Sequence, residues 1–424
     1  MKSLIILLAI VFIAGSASAE DYSFDISPAE GSEKLEISGN LDAKYSIVGT
    51  RRTSPVYRLQ FYDRNDLSGF IGSNRLELYL NGDCQTENLD VHIKTHSEYY
   101  GDSAAAFKLY ELYGNVNLSA NSFLQTGKKI FKWGTGYSFN PVGYLNPYKD
   151  PENPELSQEG RLSVNYEYIK SFKSALLQNI SLTAVLIPPE ELINNKYAII
   201  KNTEIAVKLY ALLLNADLDL MAYYSKERIN KIGFDFSKNI RENMEMHGEF
   251  GYYNGQDKYY ISNNNVVLSR ENGYSYLLGL RWLNKWNATV IVEYYCNGLG
   301  LNKDEYSLLS NYLLSTADSG NTNIFQQALG LNKKYFSGAV LMRDYMYFKI
   351  SLPEPFNIVY FTPSAYVLYN LIDKSYSAAI PLSYKPIDNI ELLLWPAFIS
   401  GGMNTEYGDK QAESKVELWV RYYF

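Results

Sequence analysis

The sequence predicts an all-β chain: a transmembrane antiparallel up-and-down β-barrel of about 18 strands, within roughly 16–20. Three observations carry that expectation. Apolar and polar residues alternate with a period of two almost everywhere. The alternating runs are about ten residues long, whereas globular strands average roughly five or six and a tilted bilayer crossing takes about ten. The third is tyrosine, 39 of 424 residues against 19 phenylalanines. A buried phenol needs a polar partner, so this count suits a wall that is greasy on one side and wet on the other.

Composition removes several function classes. With 46% hydrophobic and 20% charged residues the chain is not disordered. A net charge of −7 disfavours a nucleic-acid binder built on a basic surface. Cys84 and Cys296 are two lone cysteines far apart, which is no disulfide framework.

Residues 1–19 read as a secretory signal peptide. Lys2 is the positive n-region, Leu4 to Ala14 the apolar stretch, and Ala17-Ser18-Ala19 the small-residue cleavage site. Residues 20–33 are polar and acidic and read as a loose periplasmic segment, with the barrel over 34–424. No later uncharged apolar run is long enough for a membrane-spanning helix.

Strands follow in order. Leu35, Ile37, Leu41, Ala43, Tyr45 and Ile47 alternate with Glu36, Ser38, Asp42, Lys44 and Ser46. Leu76, Leu78 and Leu80 alternate with Arg75, Glu77 and Asn81, and Leu89, Val91 and Ile93 with Asp90, His92, Lys94, His96 and Glu98. Runs of the same plan lie near 105–118, 122–133, 160–171, 178–187, 203–214, 216–226, 229–238, 243–254, 273–284, 287–298, 324–350, 357–370, 374–385 and 388–399. Long loops are expected over 134–159, 255–272, 299–323 and 400–412, and 304–317 also reads as a short helix. Tyrosine doublets such as Tyr223-Tyr224, Tyr252-Tyr253 and Tyr294-Tyr295 fall at strand ends, where an interfacial girdle belongs.

The last strand is ESKVELWVRYYF, with Phe424 in phase with Val416, Leu418, Val420 and Tyr422. This resembles the C-terminal signature of Gram-negative outer-membrane β-barrels, in which a terminal Phe is the assembly signal. The run G-K-K-I-F-K-W-G-T-G…F-N-P…L-N-P from Gly127, with Pro141, Pro147, Pro151 and Pro154, leaves a strand and cannot continue as one. It is similar to the porin-like and alginate-export-like outer-membrane families of unassigned substrate. That resemblance implies a loop packed in or over the lumen, with Lys128, Lys129, Lys132, Trp133, Tyr137, Asn140 and Arg161 near a constriction. It also implies outer-membrane lipid and lipopolysaccharide around the wall, and the barrel-assembly machinery as the partner of the last strand. Homo-oligomers occur in the class, but no residue marks an interface.

If the apolar face meets lipid, the alternates line the lumen: Arg75, Glu77, Lys94, Glu98, Glu249, Glu293, Glu417 and Arg421 among others. Both signs are mixed, which predicts weak ion selectivity, mildly cation-favouring from the acid excess. His92 and His96 sit about 13 Å apart along a strand, too far to share one metal ion. No local G-x-S-x-G run suggests an enzyme, and no cofactor is expected. The expectation is a channel for passive diffusion of small hydrophilic solutes, with 134–159 narrowing the pore. The alternative is a plugged barrel with a structural, adhesive or export-partner role.

Overall fold

The structure, a computed structural model, describes residues 34–62, 69–86, 89–101, 105–188, 203–225, 229–319, 321–336 and 340–424. The expected signal peptide and the segment 20–33 lie outside the described residues.

The strands are β1 (Lys34–Thr50), β2 (Phe70–Gln85), β3 (Leu89–Tyr100), β4 (Ala106–Ser119), β5 (Ser122–Lys129) and β6 (Arg161–Ser171). There follow β7 (Leu177–Ile187), β8 (Glu204–Leu213), β9 (Ala216–Tyr224), β10 (Asn230–Arg241), β11 (Met244–Ser262) and β12 (Asn265–Leu283). The rest are β13 (Thr289–Asn297), β14 (Asp344–Ser351), β15 (Phe361–Asn370), β16 (Tyr376–Ala379 and Leu382–Ile387), β17 (Ile390–Ser400) and β18 (Ala412–Tyr423). Both pieces of β16 pair with the same neighbours, β15 and β17. Pro381 interrupts the strand because it has no N–H to give. The ladder continues through Ser364 N–H to the Pro381 carbonyl at 2.8 Å and Ile380 N–H to the Pro396 carbonyl at 3.0 Å. The result is a closed antiparallel barrel of 18 strands, as expected.

Closure lies between β1 and β18. Leu41 faces Tyr422, Ala43 faces Val420 and Tyr45 faces Leu418, while the other edge of β1 runs along β2. Every strand therefore has two neighbours, which satisfies the backbone without water. The alternation sorts by face. Val416, Leu418, Val420 and Tyr422 are exposed outward, whereas Trp419 is buried inside. Ile205, Val207, Leu209, Leu220 and Ile232 continue an exposed apolar belt that only a nonpolar medium would cover. Among the described residues, no helix is long and apolar enough to cross a membrane.

The two ends differ. At the end bearing Lys34 and Phe424 the connections are short, such as 120–121, 214–215, 242–243 and 388–389. Leu214 and Asn215 both have positive φ, 53° and 56°, the geometry of a two-residue hairpin turn that follows the strand twist. The opposite end carries the long segments 51–69, 130–160, 298–343 and 401–411. Short on one side and long on the other is the outer-membrane pattern.

Two expectations fail here. The loop expected over 255–272 is instead a hairpin, with β11 and β12 running on to Ser262 and Asn265 around Asn263 and Asn264, φ 48° and 61°. Beyond Tyr253 the hairpin packs Ile261, Tyr259 and Val266 on the helical cluster instead of dividing a wet face from a greasy one, so the alternation fades and the run reads as loop. The strand expected over 324–350 is also corrected. Among its described residues only Asp344–Ser351 is strand, and Thr322–Phe336 is a helix, α3. Its buried Phe325, Ala328 and Leu331 recur every three residues, a helical spacing. The helical reading of 304–317 holds as α2, Lys303–Asp318, capped reciprocally by Asn302 and Glu305. A short helix α1, Pro55–Gln60, lies between β1 and β2, capped by Ser54. Leu59, Tyr306, Leu309, Leu313 and Phe325 join the three helices in one buried cluster. The free state of Cys84 and Cys296 agrees with two lone thiols.

The register at closure is testable. Opposed outward residues come close enough for a disulfide, and a two-residue offset does not. In a C84S/C296S background, A43C/V420C should crosslink on oxidation while keeping heat-modifiable gel mobility. A43C/L418C should not crosslink.

Candidate functional site

Loop 130–160 leaves β5 and returns to β6 by way of the barrel interior. Its apolar residues Phe131, Trp133, Val142, Tyr144 and Leu145 are buried against inward-facing Val185, Ile187, Ala206, Met221, Tyr223 and Tyr253 of β7, β8, β9 and β11. Farther along, the Phe139 ring stacks on Tyr295 of β13 at 4.5 Å. Burial of this aromatic set gives the loop a hydrophobic anchor.

Polar anchoring comes from two wall carboxylates. Glu249 on β11 accepts the backbone N–H of Thr135 at 2.7 Å, of Gly136 at 2.6 Å and of Val142 at 3.1 Å. Glu293 on β13 accepts the N–H of Tyr137 at 2.5 Å and of Ser138 at 2.8 Å. Both carboxylates are buried, at 3% and 0% exposure. A buried carboxylate is tolerated when fixed donors surround it, and these donors are the amides of a proline-rich segment with no ladder partner. His247 on β11 completes the group, its Nε2 3.0 Å from Glu293 Oε1.

The W-G-x-G run makes this approach possible. Gly134 has φ +89°, and a Cβ there would stand 2.8 Å from Glu249 Oε1. A Cβ on Gly136 would stand 3.1 Å from the same oxygen. Any larger residue would hold the backbone off its acceptor. Asn140 donates to the Trp133 carbonyl at 2.6 Å, Tyr253 Oη donates to the Pro141 carbonyl at 3.0 Å, and Lys149 Nζ donates to the Gly136 and Tyr137 carbonyls.

The returning half of the loop borders a cavity of about 580 Å³. Glu152, Glu155 and Ser157 lie on the loop side, and Lys44, Lys94, Lys349, Glu391, Trp395 and Arg421 on the wall. Most of its charges are already paired. Tyr137 Oη donates to Glu155 at 2.6 Å, and Lys349 reaches Glu155 at 3.1 Å. Lys410 reaches Glu152 at 3.2 Å. Arg421 grips Asp42 with two bonds of 2.7 and 2.8 Å, and Lys44 lies 3.8 Å above the Trp419 ring. Burial raises the Glu155 carboxyl, but the Tyr137 hydroxyl and Lys349 outweigh it and hold the group below its ordinary value. Burial likewise opposes ionisation of Glu152, and Lys410 and Lys415 overcome it.

The sequence-derived residues separate into several places. Tyr137, Lys94 and Arg421 line this cavity. Lys128, Asn140 and Arg161 line a second cavity of about 710 Å³ at the long-loop end, together with Tyr144, Tyr223 and Lys231. There Lys128 pairs with Glu159 and Arg161 with Glu204. Trp133 is buried in packing, Lys132 is exposed, and Lys129 lies 5.2 Å from the Phe131 ring and 5.5 Å from that of Tyr113. Arg75 pairs with Glu77 at 2.6 Å, Glu98 with Lys108 at 3.4 Å, and Glu417 with Lys415 at 3.3 Å. Phe424 closes the first strand, its N–H donating to the Gly39 carbonyl at 3.1 Å. The loop carboxylates Glu152 and Glu155 and the wall cation Lys349 were not singled out from sequence. Glu249 and Glu293 were read as lumen residues but not as loop anchors.

Two outcomes test the anchoring. Replacing Glu249 by Ala orphans three amides, each costing about 1–3 kcal/mol, so E249A should expose 134–159 to protease while the wall stays resistant. E249Q should do so less. The depressed carboxyl of Glu155 strengthens the fold above its unfolded pKa, and that contribution is lost as pH falls through the lowered value. A fluorophore at N153C should therefore gain mobility on acidification below about pH 4, and K349A should show that mobility already at neutral pH.

No family model and no curated protein matches this sequence. Solved structures do match in fold. Pseudomonas aeruginosa OccK8 (OprE) superposes with a TM-score of 0.56 at 8% identity, covering 92% of this chain and 98% of that one. Pseudomonas aeruginosa OprD gives 0.52 at 8% identity over 95% and 99%, and OccK11 (OpdR) 0.51 at 9% over 92% and 96%. At such identities the likeness is one of fold: the chain has the closed β-barrel fold of these porin-like outer-membrane proteins.

Proposed function

We propose that this barrel is an outer-membrane channel through which small hydrophilic solutes diffuse passively, with loop 134–159 as its constriction. The observation that carries the reading is the water-accessible cavity between Glu152–Ser157 of the loop and the polar wall. Its cations Lys44, Lys94, Lys349 and Arg421 stand against the anions Glu152, Glu155 and Glu391. A near-balanced lining, largely paired, supports weak ion selectivity. The cation preference expected from the whole-chain acid excess has no counterpart in this lining. Lipid and lipopolysaccharide surround the apolar belt, and the strand ending in Phe424 is the segment offered to the barrel-assembly machinery.

A plugged barrel is the second reading, and one observation favours it. Phe139, Tyr306, Tyr345, Tyr347 and Tyr407 are packed with the helices in a buried cluster toward the long-loop end.

Planar-bilayer recording separates the two. The channel reading expects discrete steps from the refolded protein, enlarged roughly twofold or more when 137–157 is deleted. Steps seen only after deletion would favour the plug. Silence from both proteins would sink the channel.

A further inference from the structure

We propose that Glu77, His96 and Glu98 form a binding site for one first-row divalent transition-metal ion, such as Zn²⁺ or Cu²⁺, on the inner wall of the barrel. The register of β2 and β3 brings the three together. Glu77 faces Glu98, and Tyr79 faces His96. His96 and Glu98 are two apart and share one face of β3. One donor atom from each residue lies within 4.8 Å of the other two.

The imidazole is the independent observation. His96 is 4% exposed, and neither ring nitrogen has a hydrogen-bond partner among the described residues. The ring is fixed by stacking on Tyr79 at 4.3 Å and by Tyr110 at 5.0 Å. A buried polar ring held in place with no well-formed hydrogen bond on either nitrogen is open to a ligand. Its Nε2 stands 3.5 Å from Glu77 Oε2. That is longer than an ordinary hydrogen bond. It matches the roughly 3.3–3.6 Å edge of a tetrahedron built on metal–ligand bonds of about 2.0–2.2 Å. One imidazole and two carboxylates suit borderline first-row ions, and three protein donors leave a coordination position for water.

Glu77 is not idle. Lys44 reaches its Oε2 at 2.8 Å, Tyr79 Oη donates to the same oxygen at 3.1 Å, and Arg75 holds Oε1 at 2.6 Å. Lys44 also lies 3.4 Å from Asp42, so it has a second carboxylate to move to when a cation takes Oε2. Lys108 lies 3.4 Å from Glu98 and competes there. The site is therefore of moderate affinity. The spacing of His92 and His96 gives no hint of it, because Glu98 is two residues on and Glu77 lies across the ladder.

The test is Cu²⁺ titration of the refolded full chain in detergent, followed by electron paramagnetic resonance. One ion per barrel with coupling to a single nitrogen is expected. H96A should lose the signal while keeping heat-modifiable mobility, E98Q should bind at least roughly tenfold more weakly, and H92A should match the parent. Zn²⁺ should raise the unfolding temperature of the parent and leave that of H96A unmoved. If H96A does not fold, E98Q alone carries the comparison. The proposal is overturned if H96A and E98Q bind like the parent, if the signal is lost in H92A instead, or if the parent binds nothing at about 100 µM ion.

Discussion

Closure of the backbone ladder between β1 and β18 is the constraint on which everything else in this molecule depends. In hydrocarbon, an unpaired N–H or C=O costs several kcal/mol, so a strand protein enters a membrane only without an edge. Once the sheet closes, the period of two sends one set of side chains outward and the other inward along every strand. Leu418 and Val420 face outward because Glu417, Trp419 and Arg421 face the lumen. The same rule divides the tyrosine doublets. Tyr224 is 56% exposed and Tyr223 5%; Tyr252 is 41% exposed and Tyr253 7%. Each of these two doublets supplies one ring to the outside and one to the interior, whereas Tyr99 and Tyr100 are both exposed.

A closed wall with a polar inner face changes what a loop can do inside it. Segment 130–160 has four prolines and little regular structure, so its amides need acceptors from elsewhere. Glu249 and Glu293 supply them, three amides to one and two to the other. The carboxylates in turn depend on those amides, since both are buried. This mutual dependence makes the loop part of the wall rather than a tether across the mouth.

The fold was largely legible because a two-residue period survives wherever one face is wet and the other is not. It failed where that condition lapses. In β11 and β12 beyond Tyr253, the hairpin packs Ile261 on the helical cluster and no longer divides a wet face from a greasy one, so it resembles a loop. In Thr322–Phe336, apolar residues spaced for a helix run straight on toward the strand Asp344–Ser351, and the two read as one strand. The candidate site was less legible. The glycines and prolines of 134–154 mark a loop, but Glu249 and Glu293 lie more than one hundred residues away. No local pattern tells which lumen carboxylates face a loop backbone. Lysines 128, 129 and 132 drew attention as a cluster, yet alternation along β5 and the turn after it send them to different environments. Lys349 and Glu155, which bracket Tyr137, stand singly in the sequence and meet only through the barrel's curvature.

Osmotic swelling of liposomes holding the refolded protein tests the central claim most directly. With sugars of rising size, from a pentose to a trisaccharide, swelling should be rapid for the smallest and fall steeply across the series. No swelling above protein-free liposomes for any solute would contradict an open, loop-narrowed lumen.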